Sequence, residues 1–90
     1  MEGFKKVNNR GYPGMLVFTR MVRNIDYSEM GEEIVTYENK LSSGFILQES
    51  EHFEGYYLIK FFTGERVFHW GSDLFERNLE INLTHLKNRL

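Results

Sequence analysis

The chain has 90 residues, a net charge of −2 and no cysteine. Its length allows one domain, and the lack of cysteine excludes a disulfide framework and a thiolate zinc site. With 41% hydrophobic and 16% aromatic residues, the composition is too apolar for a disordered chain and favours a small folded domain.

Charge is distributed unevenly along the chain. Residues 1–23 carry five basic side chains against one acidic side chain, whereas residues 24–56 carry eight acidic side chains against one basic. We interpret the acidic stretch either as a solvated loop or as a surface that docks on a basic partner.

No targeting or membrane segment is visible. The first six residues are not followed by an apolar run, and no segment approaches the roughly 18 consecutive apolar residues of a membrane span. A small secreted domain usually needs disulfides. We therefore expect a cytoplasmic protein with no membrane partner.

The first third of the chain predicts one strand between two irregular segments. Residues 1–13 contain turn formers, including Asn8 and Pro13, and predict an irregular leader. Residues 15–23 predict a strand with apolar side chains on both faces, which is typical of a barrel. Residues 24–33 are polar and acidic, and they predict a long excursion.

The middle of the chain predicts two short strands. Residues 34–37 are rich in β-branched and aromatic side chains, which favours a short strand inside the acidic excursion. Turn-forming residues fill positions 39–44, and residues 45–48 predict the next strand.

The clearest element is a β-hairpin in which residues 56–62 and 66–70 flank Thr63-Gly64-Glu65. A two-residue loop would place five large side chains on one face, which we expect to be the core: Tyr57, Ile59, Phe61, Phe68 and Trp70. The opposite, outward face is apolar enough to need a cover or a partner, and it carries Tyr56, Leu58, Lys60, Phe62, Val67 and His69. A three-residue loop would instead exchange the two faces of one strand.

Beyond the hairpin, Gly71 breaks the strand and Ser72 is suited to cap a short turn. Residues 78–83 alternate between polar and apolar side chains and predict the last strand. Thr84 is suited to cap a short C-terminal helix over residues 85–90.

This order of short strands, with a long first loop, a tight hairpin and a turn before the last strand, resembles the SH3-like small barrels, which include Tudor and KOW domains. The resemblance rests on Gly14–Phe18, Gly44–Leu47, Tyr57–Phe62 with Gly64, Val67–Trp70 and Asp73–Phe75. The resemblance covers about residues 14–83 and implies five strands in a partly open barrel. Together with the short C-terminal helix, we expect a mainly β domain over residues 14–90. Partners in that class are usually peptides or nucleic acids. The peptide groove of SH3 domains is not cleanly present and the basic-glycine turn of KOW domains is absent, so fold likeness does not decide the function.

No group of residues forms a recognisable catalytic or metal site. The histidines lack the spacing of metal ligands: His52, His69 and His85. Ser72-Asp73 is better explained as a cap than as a nucleophile with its base. The adjacent Glu32 and Glu33 point in different directions, and no glycine-rich phosphate loop is present. We therefore predict a protein that is not an enzyme and uses no cofactor.

The leading interpretation is a protein-interaction module, a small adaptor or inhibitor that binds a host or regulatory protein with a basic patch. A compact, cysteine-free domain of this size is of a kind that phages encode for such a task. The candidate binding residues combine acidic and hairpin side chains: Asp26, Glu29, Glu32, Glu33, Tyr56, Phe62 and His69.

The alternative is a nucleic-acid-binding or transcription-associated small barrel. Tyr12 and Phe18 lie among a set of basic residues near the N-terminus, a combination that suits single strands. Those basic residues are Lys5, Lys6, Arg10, Arg20 and Arg23. The sequence pI of about 5.9 and the acidic stretch argue against this alternative.

Overall fold

The computed structural model describes residues 3–78, which form a mainly β domain built on one antiparallel sheet. Its six strands are β1 (Phe4–Lys6), β2 (Leu16–Tyr27), β3 (Glu33–Glu49), β4 (Tyr56–Phe61), β5 (Arg66–Trp70) and β6 (Phe75–Arg77). Within this range a 3₁₀ turn at Gly71–Asp73 is the only helical element. The predicted mainly β class is confirmed, and the predicted C-terminal helix over residues 85–90 lies outside the described residues.

The strands follow the order β1-β6-β2-β3-β4-β5, so β1 and β5 are the two edges of an open sheet. Among residues 3–78, β5 pairs with β4 only, although it also approaches β2. The sheet has one strand more than the five predicted. The strand predicted at residues 78–83 lies, after its first residue, outside the described range.

The described part of the segment predicted as an irregular leader contributes one strand to the sheet and one side chain to the core. β1 pairs with β6, and Val7, directly after β1, is fully buried. The Gly11 N–H donates to the Tyr57 hydroxyl at 3.0 Å. A Cβ at Gly11 would lie 2.7 Å from the same ring, so only glycine fits where this segment passes over Tyr57.

The predicted excursion of residues 24–33 is instead the end of a long β-hairpin. β2 and β3 stay in register over seven consecutive residue pairs, and we call residues 21–39 the arm. When the sequence alone is considered, the charges of this segment favour a loop. A strand accommodates them here because its polar backbone groups are paired while most of its side chains remain in solvent.

A five-residue turn over positions 28–32 closes the arm. The Ser28 N–H donates to the Glu32 carbonyl at 2.8 Å, and the Ser28 hydroxyl accepts from the Glu32 N–H at 3.0 Å. Gly31 adopts a φ of +80°, which only glycine takes up without cost. The local turn chemistry therefore holds the two strands in register at the far end of the arm.

Positions 39–44, predicted as a turn, lie inside β3. The register between β2 and β3 shifts between Thr19 and Met21, and such a bulge bends and twists a strand without ending it. Gly44 serves close packing and not a turn, because a Cβ there would lie 2.3 Å from the Lys60 carbonyl oxygen.

The β4–β5 hairpin is confirmed, but its loop has three residues and not two. The Phe61 N–H donates to the Glu65 carbonyl at 2.9 Å, and the Gly64 N–H donates to the Phe61 carbonyl at 2.8 Å. Gly64 adopts a φ of +98°. This left-handed residue follows the type I turn of a three-residue hairpin loop.

The three-residue loop exchanges the two faces of β5 relative to the prediction. Tyr57 lies opposite His69, and His69 is only 4% exposed whereas Trp70 is 46% exposed. Phe68 is half-buried on the outer face. The prediction of Phe68 and Trp70 as core residues is therefore wrong, and so is the outward placement of His69. An odd number of loop residues is the physical cause, since side chains alternate along a strand.

The core gathers apolar side chains from the N-terminal segment, the strands and the position after the 3₁₀ turn: Val7, Met15, Val17, Ile46, Tyr57, Ile59, Phe61 and Leu74. Its three β4 members confirm the predicted core face of that strand. The arm extends beyond this core, and the protein accordingly measures 61 × 27 × 20 Å.

Candidate functional site

The arm is exposed along most of its length. Every residue of β3 from Glu33 to Leu41 is exposed, as is β2 from Ile25 to its end. Met30, in the turn, is 88% exposed. The large apolar side chains on this surface are Met21, Ile25, Tyr27, Met30, Ile34, Val35 and Tyr37. Apolar exposure on this scale is typical of an interaction site.

Strand pairing places five of these apolar side chains on one face of the arm: Met21 at its base and, beyond it, a set of four. Successive residues of a strand point to opposite faces, so directly opposed residues share a face. We call this set the apolar strip: Ile25, Tyr27, Val35 and Tyr37. Arg23 lies on the same face, opposite Tyr37.

The predicted acidic residues surround the end of the arm, and we call them the acidic tip: Asp26, Glu29, Glu32 and Glu33. Each is exposed, and within residues 3–78 none of the four forms an ion pair. They lie at the same end of the arm as Tyr27 and Met30. Unpaired surface carboxylates create a negative potential that attracts a basic partner.

A second exposed surface lies at the base of the arm, where four side chains form what we call the aromatic cluster: Phe53, Tyr56, Phe68 and Trp70. The Tyr56 and Phe68 rings stack with centroids 5.0 Å apart, and the Tyr56 and Trp70 centroids are 4.6 Å apart. Phe53 lies edge-on to both Tyr56 and Trp70, at 6.1 and 6.0 Å. The exchanged face of β5 is what brings Phe68 and Trp70 to this surface.

Arg23 connects the arm to the aromatic cluster. Its Nη1 donates a hydrogen bond to the Tyr56 hydroxyl. A cleft of about 220 Å³ is lined by Arg23 and Tyr37 from the arm, by the aromatic cluster, and by His69 and Asp73. The apolar strip and the aromatic cluster therefore form one continuous surface.

His69 lines this cleft but is only 4% exposed, so it does not lie on the docking surface predicted for it. Burial lowers its pKa below the ordinary value, Asp73 opposes that change and Arg23 reinforces it. The Nε2 atom is buried and has no hydrogen-bond partner, while the ring lies edge-on to Phe61 at 5.6 Å. His69 is thus a neutral side chain with an unused polar atom.

The two predicted aromatic binding residues occupy different surfaces. Tyr56 begins β4 and belongs to the aromatic cluster. Phe62 follows the other end of β4, where its exposed ring lies edge-on to Phe45 at 5.2 Å. The structure therefore separates Phe62 from the arm and its acidic tip, which the sequence had grouped with it.

The predicted basic residues do not form one patch. Lys5 and Arg10 both pair with the carboxylate of Glu76, at 3.7 and 3.1 Å. Arg10 also donates to the Lys6 carbonyl, and Lys6 itself is exposed on β1. The other two predicted basic residues lie on β2, where Arg20 is exposed and Arg23 lines the cleft.

Sequence reasoning missed the apolar strip, although its signal was present. Ile25 and Tyr27 alternate with polar residues, as do Val35 and Tyr37, and a Ser-to-Gly turn lies between the two pairs. That pattern is typical of a hairpin with one apolar face. The high charge of the segment concealed it.

In the described part of the chain, no three acidic or histidine residues lie close enough together to hold a metal ion. None of its helical structure has the length and apolarity needed to cross a membrane. The chain matches no protein-family model, no curated protein and no solved structure.

Proposed function

We propose that this protein is a non-enzymatic protein-interaction module, a small adaptor or inhibitor that binds a partner with a basic patch. The observation that carries the proposal is the arm. Its strands are paired and ordered by hydrogen bonds, yet it presents the apolar strip and the unpaired acidic tip to solvent.

The composition of the surface supports a protein partner. Interface centres are enriched in aromatic residues, methionine and arginine, and they are surrounded by a polar rim. The apolar strip, the aromatic cluster and Arg23 supply such a centre. The acidic tip supplies one side of the rim, where charge raises the association rate and selects partners of opposite sign.

The arrangement of strands supports the finer description of the fold. A meander of β2, β3, β4 and β5, followed by a 3₁₀ turn and a strand that returns to β2, has the order of an SH3-like small barrel. The approach of β5 to β2 fits a barrel that is partly open along that seam. A cytoplasmic location and a phage origin belong to the same proposal and rest on the composition alone.

The nucleic-acid alternative has less support. Two of its five basic residues, Lys5 and Arg10, are paired with Glu76, and the exposed arm carries carboxylates that repel phosphate. The pull-down experiment tests this alternative as well.

The experiment is a pull-down from cell lysate with the tagged protein, with and without nuclease. One variant carries Glu29→Lys, Glu32→Lys and Glu33→Lys. A matched control carries the same change of charge at acidic residues outside the arm: Glu51→Lys, Glu54→Lys and Glu65→Lys. Each of these six positions is exposed.

We expect the parent and the control to retain a partner that nuclease does not release, and the arm variant to lose most of it. The association rate of that partner should fall about tenfold in the arm variant at low salt, because steering by opposite charge is lost. Retention of the partner by the arm variant would contradict the proposal. Capture that depends on intact nucleic acid would favour the alternative.

A further inference from the structure

The cleft at the base of the arm contains a cation, and the same residue belongs to the centre of the proposed protein interface. Arg23 is half-buried, and within residues 3–78 no carboxylate forms an ion pair with it. One of its nitrogens bonds to the Tyr56 hydroxyl, whereas the buried Nε has no partner. A partly buried guanidinium without a counter-ion is costly, and its geometry suits carboxylate or phosphate.

The same cleft also offers flat aromatic surface. Trp70 is 46% exposed, and its ring is held against Tyr56 and Phe53 by contacts of 4.6 and 6.0 Å. Rings fixed in this way form a stacking platform for a planar heterocycle, because every nucleobase has a π-face. The platform and the cation of Arg23 line the same cleft.

A further polar group of the cleft suits the edge of such a heterocycle. Asp73, on the 3₁₀ turn, is exposed and its carboxylate accepts hydrogen bonds from amino groups. A ligand with only an aromatic ring and a carboxylate would leave this group unused. His69 also lines the cleft, but its Nε2 atom is buried.

We propose that this cleft binds a nucleotide, with its base stacked on Trp70, its phosphate on Arg23 and an exocyclic amino group of the base on Asp73. The ligand is a free nucleotide and not a nucleic-acid strand, because the arm that extends from the cleft ends in the acidic tip, whose carboxylates would repel the further phosphates of a strand. This site is independent of the partner-binding role of the acidic tip.

The experiment uses the fluorescence of Trp70, the only tryptophan of the chain. The parent protein is titrated with AMP, CMP and GMP, which carry amino groups, and with UMP, which does not. Adenosine and inorganic phosphate test the two halves of the ligand separately, and a short single-stranded oligonucleotide tests the strand. Arg23→Gln removes the cation, and Arg20→Gln, at an exposed position of the same strand, is its matched control.

We expect saturable quenching by at least one amino-bearing nucleotide, with binding about tenfold weaker in Arg23→Gln, which corresponds to loss of one charge-assisted hydrogen bond. Arg20→Gln should bind like the parent, and adenosine, phosphate and UMP should each bind more weakly than the best nucleotide. Thermal melting of both variants checks that they are folded.

Three results would overturn the proposal: no saturable change with any nucleotide, equal binding by Arg23→Gln, or phosphate binding as tightly as the nucleotide. Tighter binding of the oligonucleotide would overturn the assignment of a free nucleotide. None of these results bears on the pull-down, whose variants leave the cleft residues intact.

Discussion

Within the hairpin, the least expected single residue is His69, whose imidazole is buried among apolar neighbours with Nε2 unpaired. Burial lowers its pKa below the ordinary value of 6.5, so the unfolded chain binds a proton more readily than the folded one does. The contribution of His69 to the free energy of unfolding should therefore be fully present above pH 6.5, the pKa in the unfolded chain. The free energy of unfolding should fall as the pH is lowered through that value.

This dependence can be measured by urea unfolding of the parent and of His69→Gln in a series from neutral to acidic pH. We expect the stability of His69→Gln to fall less on acidification than that of the parent. His52→Gln, at an exposed position, should keep the parental dependence. Identical pH profiles for the parent and His69→Gln would show that His69 is not the titrating group.

The exchanged faces of the hairpin give a second residue-scale prediction. Ile59 is fully buried, whereas Trp70 is largely at the surface. Ile59→Ala should lower the free energy of unfolding by roughly 2–5 kcal/mol, and Trp70→Ala should lower it by about 1 kcal/mol. Equilibrium unfolding in urea compares the two. A larger cost for Trp70→Ala would restore the face assignment that the two-residue loop predicted.

At the scale of elements, the β4–β5 hairpin depends on the left-handed conformation of Gly64. Nothing lies within 4 Å of a Cβ at this position, so a substitution there reports backbone strain alone. Gly64→Ala should cost roughly 1–2 kcal/mol, whereas Thr63→Ala, at the exposed neighbour, should cost much less. If thermal melting finds the two variants equally stable, the loop does not have the three-residue geometry.

The hairpin also shows how far sequence reasoning extends. The strands and their turn residues were predictable from alternation and from Gly64, and the core face of β4 followed correctly. The core face of β5 could not be predicted, because it depends on whether the loop has an even or an odd number of residues. Hydrogen bonds between Phe61, Gly64 and Glu65 decide that number, and composition does not reveal them.

The arm was missed for a different reason. Its residues are charged, and charge favours a loop when only composition is weighed. The acidic tip was identified as a candidate surface, but the apolar strip beside it follows only from the pairing of β2 with β3. The aromatic cluster in turn required the exchanged face of β5, so its link to the arm through Arg23 was not predictable from spacing.

At the scale of the whole molecule, the residues of the main core cluster and the exposed residues of the arm lie in different parts of the fold. The main core cluster draws on the N-terminal segment, β2, β3, β4 and the residue before β6, and the one buried side chain of the arm is Val22 at its base. The extent of 61 Å along the longest axis reflects this separation. An element that contributes little to the core can be altered without unfolding the domain, which makes the arm open to a direct test.

The measurement that tests the role of the arm replaces residues 24–36 with Asn-Gly, which joins Arg23 to its partner Tyr37 through a two-residue hairpin turn. The cleft and the core keep their residues. We expect the shortened protein to melt cooperatively near the parental temperature and to lose the captured partner, with binding weakened at least about tenfold in a direct titration. A shortened protein that folds and binds the partner as tightly as the parent would contradict the assignment of the arm as the interaction surface.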